Sequence, residues 1–320
     1  MWSAATTREC RSLAAPDGIV ATDRDATRTG PDSNGRKRMR IAAWNIETLA
    51  PWLAEENASL TAVNARLGTP DVLCLQEVRI RPQDDALVQR MREALPGYRC
   101  HWSLNRDARN GTFRGGRSYG VATYVRERYE SVALTYDWDL EGRVCVAGFP
   151  ALHLAVANVY AVNGTGKAYW DHDAGGVRGD RHAFKQRFVE RLGDEMRVLQ
   201  DGGLRLVLIG DWNVSRARID ATPRLRSEEP HATARRRFNE EFIGGLDLVD
   251  ILRERNPELR AYTWFNRRAR NGRLDAARVD FALLSRSLEN DVIDAGIDPD
   301  PDARPGSDHA PLWVTVRAPL

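Results

Sequence analysis

Short apolar runs, each broken off by a polar side chain, recur along this chain. Arg40-Ile-Ala-Ala-Trp44 runs into Asn45, Asp71-Val-Leu-Cys-Leu75 into Gln76 and Glu77, and Leu206-Val-Leu-Ile209 into Gly210, Asp211 and Asn213. Runs this short and this continuous predict strands buried on both faces, the kind that α/β folds cover with helices. Amphipathic stretches at residues 51–66, 84–95, 181–200 and 232–243 predict those helices, with Pro96-Gly97 closing the second. Further strands are expected at 98–102, 119–125, 131–136, 143–149, 152–160, 278–284 and 312–316, and the crowding of strands between 98 and 160 suggests antiparallel pairing. Residues 106–117 and 170–180 read as loops, and the stretch after 243 as irregular as far as Leu259.

Composition narrows the class. A chain of 320 residues with 42% hydrophobic and 29% charged residues is globular in type and long enough for one large domain. Residues 1–38 are polar, mix charges of both signs and have no periodicity, which predicts a disordered leader ahead of a folded domain at 39–320. Asp17, Asp23, Asp25 and Asp32 argue against an organellar transit peptide, and Met39, which opens the first patterned run, is a candidate start. No apolar run approaches the ~20 residues of a membrane span. Cys10, Cys74, Cys100 and Cys145 are scattered and form no Cys-x-x-Cys pair, so a reducing, cytoplasmic setting and no membrane association are expected. Only three of the 47 basic residues, Lys37, Lys167 and Lys185, are lysines. Coding bias accounts for a global skew toward arginine, so only local arginine clusters carry meaning.

Taken singly, each polar strand tip is also what an ordinary turn looks like. The inventory is less easily dismissed. To Asn45, Glu77, Asp211 and Asn213 the chain adds Tyr160 at the end of one run, Asp280 at the start of another, and Asp308-His309 just before the last. Carboxylates and carboxamides with one histidine and no cysteine cluster suit Mg²⁺ or Mn²⁺ rather than Zn²⁺. A histidine beside a carboxylate suits proton transfer or stabilisation of developing charge, so the set describes metal-assisted hydrolysis of a phosphate ester. Asp171-His172-Asp173 is read as a solvated turn rather than a metal site, because adjacent loop residues rarely converge on one ion. Trp264-Phe265 followed by Arg267, Arg268, Arg270 and Arg273 has the composition of a surface that stacks on bases and grips phosphates. Its plain alternative is a packed aromatic beside a solvated charged hairpin.

The ordered set Asn45, Leu75-Gln-Glu77, Tyr160, Gly210-Asp-Trp-Asn213, Arg278-Val-Asp280 and Ser307-Asp-His309 resembles the endonuclease/exonuclease/phosphatase superfamily. Tyr119-Gly-Val-Ala, the Tyr160 to Asn163 spacing and Tyr262-Thr-Trp-Phe make the exonuclease III class of apurinic/apyrimidinic (AP) endonucleases the most similar branch. The resemblance covers about 39–316. It implies an α/β (α+β) fold, a four-layered sandwich of two mixed β-sheets packed face to face with helices outside. It further implies a Mg²⁺-dependent (or Mn²⁺-dependent) phosphodiesterase, monomeric, that cleaves abasic or damaged duplex DNA and trims 3′ ends. A phosphatase or nuclease of the same fold acting on RNA, nonspecific DNA or a phospholipid headgroup is the alternative. A nucleic-acid-binding protein without catalysis is disfavoured by the intact Glu77, Asp211, Asn213 and His309.

By the same resemblance Glu77 is the principal metal ligand, with Asp308 near the metal. Asn45 holds Asp211, which orients and deprotonates the attacking water, and Asn213 contacts the phosphate or that water. His309, oriented by Asp280, stabilises the transition state. Tyr160 meets the phosphate or the leaving oxygen, Asn163 a phosphate oxygen, and Trp264, Arg267 and Arg268 the DNA. Whether Asp211 or His309 takes the proton stays open. Two departures stand out: Glu47 replaces the Asp or Asn common two residues after Asn45, and Ala277 replaces an aromatic that in some relatives helps enclose the abasic sugar.

Overall fold

The computed structural model describes residues 38–53, 59–267, 275–300 and 306–317. Two six-stranded sheets form its centre. In chain order their strands are β1 (Arg38–Asn45), β2 (Val72–Gln76), β3 (Tyr98–Ser103), β4 (Val121–Arg126), β5 (Val132–Leu134), β6 (Val144–Phe149), β7 (Leu154–Tyr160), β8 (Arg205–Asp211), β9 (Leu248–Asp250), β10 (Asp280–Ser285), β11 (Val292–Ile297) and β12 (Leu312–Arg317). The first sheet runs β11-β12-β1-β2-β4-β3 and the second β9-β10-β8-β7-β6-β5. Each is mixed: β1 is parallel to β2 and β7 to β8, and the other pairs are antiparallel.

The continuous apolar runs have the expected cause. In β8, Val207 and Ile209 face the other sheet and meet the layer of Met39, Ile41 and Cys74, whereas Leu206 and Leu208 face outward. That outer face is covered by α3 (Arg181–Asp201) through Phe188, Leu192 and Met196, and by α4 (His231–Phe238) through Phe238. Ala42, Trp44, Leu73 and Leu75 of the first sheet are covered likewise by α1 (Leu60–Arg66) and α2 (Asp85–Glu93). The result is the four-layered sandwich. Each large side chain so buried stabilises the fold by roughly 1.5–3 kcal/mol before entropy is counted.

One polar bridge crosses the apolar centre. Gln76 Nε2 donates to Asn158 Oδ1 at 2.7 Å, and Asn158 Nδ2 donates to the carbonyls of Leu75 and Ala122 at 3.2 and 3.0 Å. It ties the ends of β2 and β7 together one residue before Glu77 and two before Tyr160.

Several local expectations change. The helix expected at 51–66 is a 3₁₀ turn at Ala50–Leu53 and the short α1, which Ser59 caps by accepting from Ala62 N; residues between them lie outside the described set. The helix expected at 232–243 is α4 followed by a π-helical turn at Asn239–Gly245. The supposed loop at 170–180 is a hairpin, Ala168–Asp171 with Gly176–Asp180. Gly175 supplies its positive φ, and Asn110 exchanges hydrogen bonds with both the N–H and the carbonyl of Trp170. Asp171-His172-Asp173 disperses: His172 meets Asp107 at 3.1 Å and Asp173 pairs with Arg191. The stretch after 243 contains edge strand β9 and a short helix α5 (Ile251–Arg255), and β11 is a further edge strand; neither strand stands out in the sequence. The expected leader falls outside the described residues except Arg38, which opens β1. Cys74, Cys100 and Cys145 are buried and free. Among the described residues no helix is long and apolar enough to cross a membrane.

Candidate active site

Topology brings the strand tips to one rim. Asp211 ends β8 and lies in register between Tyr160, the last residue of β7, and Asp280, the first of β10. Because β10 runs antiparallel to β8, its beginning lies where β8 ends; hence Asp280 opens a strand while its partners close theirs. In the first sheet Asn45 is in register with Gln76, which sets Glu77 just beyond the end of β2. β12 is antiparallel to β1, so Asp308 and His309, which precede it, arrive at the same rim.

Gly210 makes this convergence possible. Its φ is +136°, and a Cβ there would stand 2.2 Å from the Val159 carbonyl oxygen, so only glycine lets β8 turn Asp211 into the rim.

The side chains then interlock. Asn45 Nδ2 donates to Glu77 Oε1 at 3.1 Å and to Asp211 Oδ2 at 3.0 Å, joining the two sheets' carboxylates through one amide. Tyr160 Oη donates to the same Glu77 oxygen at 2.8 Å. Asn213 donates from its backbone N–H to Asp211 Oδ1 at 2.8 Å, and from Nδ2 to Asp211 Oδ2 at 3.1 Å and the Ala161 carbonyl at 3.0 Å. Both hydrogens of the Asn213 amide are therefore committed within the protein, which leaves its Oδ1 to face a substrate or water.

His309 pairs through Nδ1 with Asp280 Oδ2 at 2.9 Å, and its Nε2 lies 3.9 Å from Asp211 and 4.0 Å from Asp308. Its backbone is pinned on both sides: the N–H donates to Ser307 Oγ, and the carbonyl accepts from Trp44 Nε1 at 2.9 Å. Ser307 Oγ in turn donates to the Asn45 carbonyl at 2.6 Å. Thr263 Oγ1 accepts the Asp280 N–H at 3.0 Å.

The electrostatics separate these groups. Burial alone would lower His309, but Asp280 and Asp211 outweigh it and hold the imidazole up at about 10. Asp211 is pushed up to about 7, first by burial and then by the negative charge of Asp280 and Glu77, against the pull of His309. Glu77 lies below its usual range: burial would raise it, but Arg79, Asn45 and Tyr160 prevail. Burial, with Glu77 adding to it, drives Tyr160 well above the ordinary phenol range.

Of the expected site residues, Asn45, Glu77, Tyr160, Asp211, Asn213, Asp280, Asp308 and His309 converge on this rim. Trp264 is also there, in a different part: its indole N–H donates to Asp308 Oδ2 at 3.0 Å, and its strand bridges to His309. Arg267 pairs with Glu47 and with the Gly306 carbonyl at 2.9 Å, which gives the unusual Glu47 a partner. Asn163 sits exposed on the loop after β7, with no bond to the cluster. Arg268 lies outside the described residues. Trp212 is packing, as its position inside the motif suggests, set edge-on against Phe238 and Phe242. Three participants escape sequence reasoning. Arg79 grips Glu77, Arg143 is buried under the rings of Tyr119 and Tyr160, and Lys185 donates to the Asn213 carbonyl. In a chain with so many arginines only the Leu75-Gln-Glu-Val-Arg79 spacing could have flagged one of them.

Asp211, Asp280 and His309 each place a ligand-type atom within 4.8 Å of the others, and Glu77 lies one hydrogen-bonded amide away. An acidic cluster of this composition offers a divalent cation hard oxygen donors. Burial lifts Asp211 most, and the repulsion from Asp280 and Glu77 that adds to it is a surplus of negative charge that a cation would relieve.

Comparison with known proteins agrees with this geometry. The profile of the Endonuclease/Exonuclease/phosphatase family matches residues 42–309. An exodeoxyribonuclease from Bacillus subtilis is 27% identical over 298 residues, spanning 87% of this chain and 99% of its own length. Among solved structures, a 3′ phosphatase from Neisseria bound to product DNA hairpin superposes with a TM-score of 0.63 at 27% identity, covering 88% of this chain and 100% of the other. An AP endonuclease from Archaeoglobus fulgidus shares the fold, with a TM-score of 0.62 at 23% identity over 86% of this chain and 98% of its own. With the family's profile covering most of its length and its sandwich superposing on these structures, the chain belongs to the Endonuclease/Exonuclease/phosphatase family and has the fold of that family's exonuclease- and AP-endonuclease-like phosphodiesterases.

Proposed function

We propose that the protein is a Mg²⁺-dependent (or Mn²⁺-dependent) DNA phosphodiesterase of base-excision repair, an AP endonuclease and 3′–5′ exodeoxyribonuclease acting as a monomer. The observation that carries this reading is the single Asn45 amide tying Glu77 to Asp211 at a rim where Asp280 also holds His309. The named activities of the Bacillus and Neisseria relatives support DNA as the substrate.

Glu77 would hold the metal, with Asp308 beside it; when bound, the cation supplies Lewis-acid polarisation of the phosphate and neutralises charge on the leaving oxygen. The chain's own groups do the rest. His309, raised to about 10, is an imidazolium at neutral pH. It cannot take a proton there; it offers Nε2–H to a phosphate oxygen as negative charge builds in the pentacovalent transition state. Asp211, poised near 7, is the acceptor for the proton of the attacking water, which Asn213 Oδ1 helps to orient. Asp280 fixes the orientation of the His309 ring by taking Nδ1–H, which aims Nε2–H at the phosphate. The Tyr160 phenol, far too weak an acid to ionise, gives its one hydrogen to Glu77 Oε1 and so orients the carboxylate that would hold the metal, with its oxygen facing the phosphate. Trp264 fixes Asp308 and walls the site; Asn163 and Arg267 would contact the DNA backbone, a role the sequence also offers to Arg268.

The test compares abasic duplex, intact duplex, 3′-phosphate ends and single-stranded RNA, each with Mg²⁺ and with chelator. Cleavage of abasic duplex and removal of 3′-phosphate, both abolished by chelation, are expected. Turnover of RNA or another phosphoester with abasic duplex left intact would overturn the DNA-repair reading in favour of a different substrate for the same fold.

A further inference from the structure

Lys185 lies on the opening turns of α3, 5% exposed, directly beneath the Asp211–Asn213 turn. Its Nζ donates to the Asn213 carbonyl at 2.7 Å, and among the described residues no carboxylate lies within ion-pair distance of it. An ammonium in such a place is costly. Burial pushes it down to about 8; Asp211 partly offsets this, while Arg143 adds to it. It is also one of only three lysines in a chain whose cations are otherwise arginine.

The residue it holds is strained. Asn213 has φ of +51°, in the left-handed region that Asn tolerates better than most residues but still at a cost. From that conformation its backbone N–H reaches one Asp211 oxygen and its amide reaches the other while also bonding the Ala161 carbonyl. A turn of the Asn213–Val214 peptide would misdirect the chain leaving this residue, and the only side chain donating to that peptide's carbonyl among the described residues is Lys185.

We infer that Lys185 is a positioning residue for phosphodiester cleavage, its ammonium clamping the Asn213 carbonyl so that Asn213 holds the Asp211 carboxylate on the line of the attacking water. The inference rests on the function proposed above for Asp211 and Asn213. Lys185 is buried under the turn and acts through it. A displacement of the base by about 1 Å is enough to cost up to about 10²-fold in rate.

The test measures kcat and KM for Lys185→Met, Lys185→Arg, Asn213→Ala and the Lys185→Met/Asn213→Ala pair, with the melting temperature of each. The rate is read on whichever phosphoester of the panel above the wild type turns over. A wild type active only on other phosphoesters thus sinks the DNA reading and leaves this comparison intact. The expected result is a 10- to 100-fold fall in kcat for Lys185→Met with KM within about threefold, substantial recovery in Lys185→Arg, and a pair no slower than Asn213→Ala alone. In the metal-free protein, the Asn213 side-chain amide resonances should shift or broaden in Lys185→Met and stay near wild type in Lys185→Arg. Wild-type kcat in a folded Lys185→Met would overturn the inference, as would fully additive losses in the pair. Should Lys185→Met fail to fold, a Lys185→Arg variant with undisturbed stability but the rate of Asn213→Ala would overturn it equally.

Discussion

Asp280→Asn isolates the group that keeps His309 charged. The imidazole climbs from its ordinary 6.5 to about 10 although burial opposes the climb. That net rise corresponds to about 5 kcal/mol favouring the protonated form. Three carboxylates share it, at 2.9 Å for Asp280, 3.9 Å for Asp211 and 4.0 Å for Asp308. Even an equal split gives Asp280 between about 1 and 2 kcal/mol, and its hydrogen bond makes its share the largest. Asparagine keeps the shape and removes the charge, so the His309 pKa should fall by at least about one pH unit. Loss of the charged partner that orients the ring and strengthens its charge should lower kcat on the order of 10²- to 10⁴-fold, with KM little changed.

NMR titration of the His309 ring in metal-free protein reads the first effect and steady-state kinetics with Mg²⁺ the second. Stability adds a signed check. A raised histidine pKa contributes stability that is complete below 6.5 and lost as pH climbs through about 10, so the gap between wild type and variant should be widest in acid and narrow toward pH 10. An unmoved His309 titration, or a kcat within threefold of wild type, would refute the reasoning.

Other perturbations address separate parts of the design. Asp211→Asn removes the proposed proton acceptor while leaving an oxygen for the bond from Asn45, and should cost on the order of 10³-fold in kcat; a rate within tenfold would move the base elsewhere. Gly210→Ala drives a Cβ to 2.2 Å from the Val159 carbonyl at a φ of +136°, and should destabilise the fold by more than about 3 kcal/mol in urea unfolding, whereas a loss below about 1 kcal/mol would mean β8 can shift freely. Arg267→Ala should weaken DNA binding and reduce the slope of log K against log salt by about one; an unchanged slope would remove Arg267 from the interface.

Much of this site was legible because buried strands leave a conspicuous trace. β1, β2, β7 and β8 are largely apolar on both faces, so the polar residues at their tips stand out against that background, and their order carried the resemblance. The sandwich and the eight rim residues followed from that. Edge strands leave no such trace: β9 and β11 are short or only partly buried, and a hairpin such as Ala168–Asp171 with Gly176–Asp180 is held by side chains of a distant loop rather than by its own pattern.

Tertiary structure alone decided which partner each tip takes. Asn45 bonds Asp211 across 166 residues of chain, and Trp44 reaches the His309 carbonyl across 265, distances at which spacing carries no information. The roles of Trp264 on Asp308, Arg267 on Glu47 and Lys185 under Asn213 were invisible for the same reason. Protonation belongs to this level too. Composition supplies an aspartate and a histidine; only burial beside Asp280 and Glu77 makes the one an acid near 7, and only the neighbouring Asp280 and Asp211, against its burial, keep the other a cation at neutral pH.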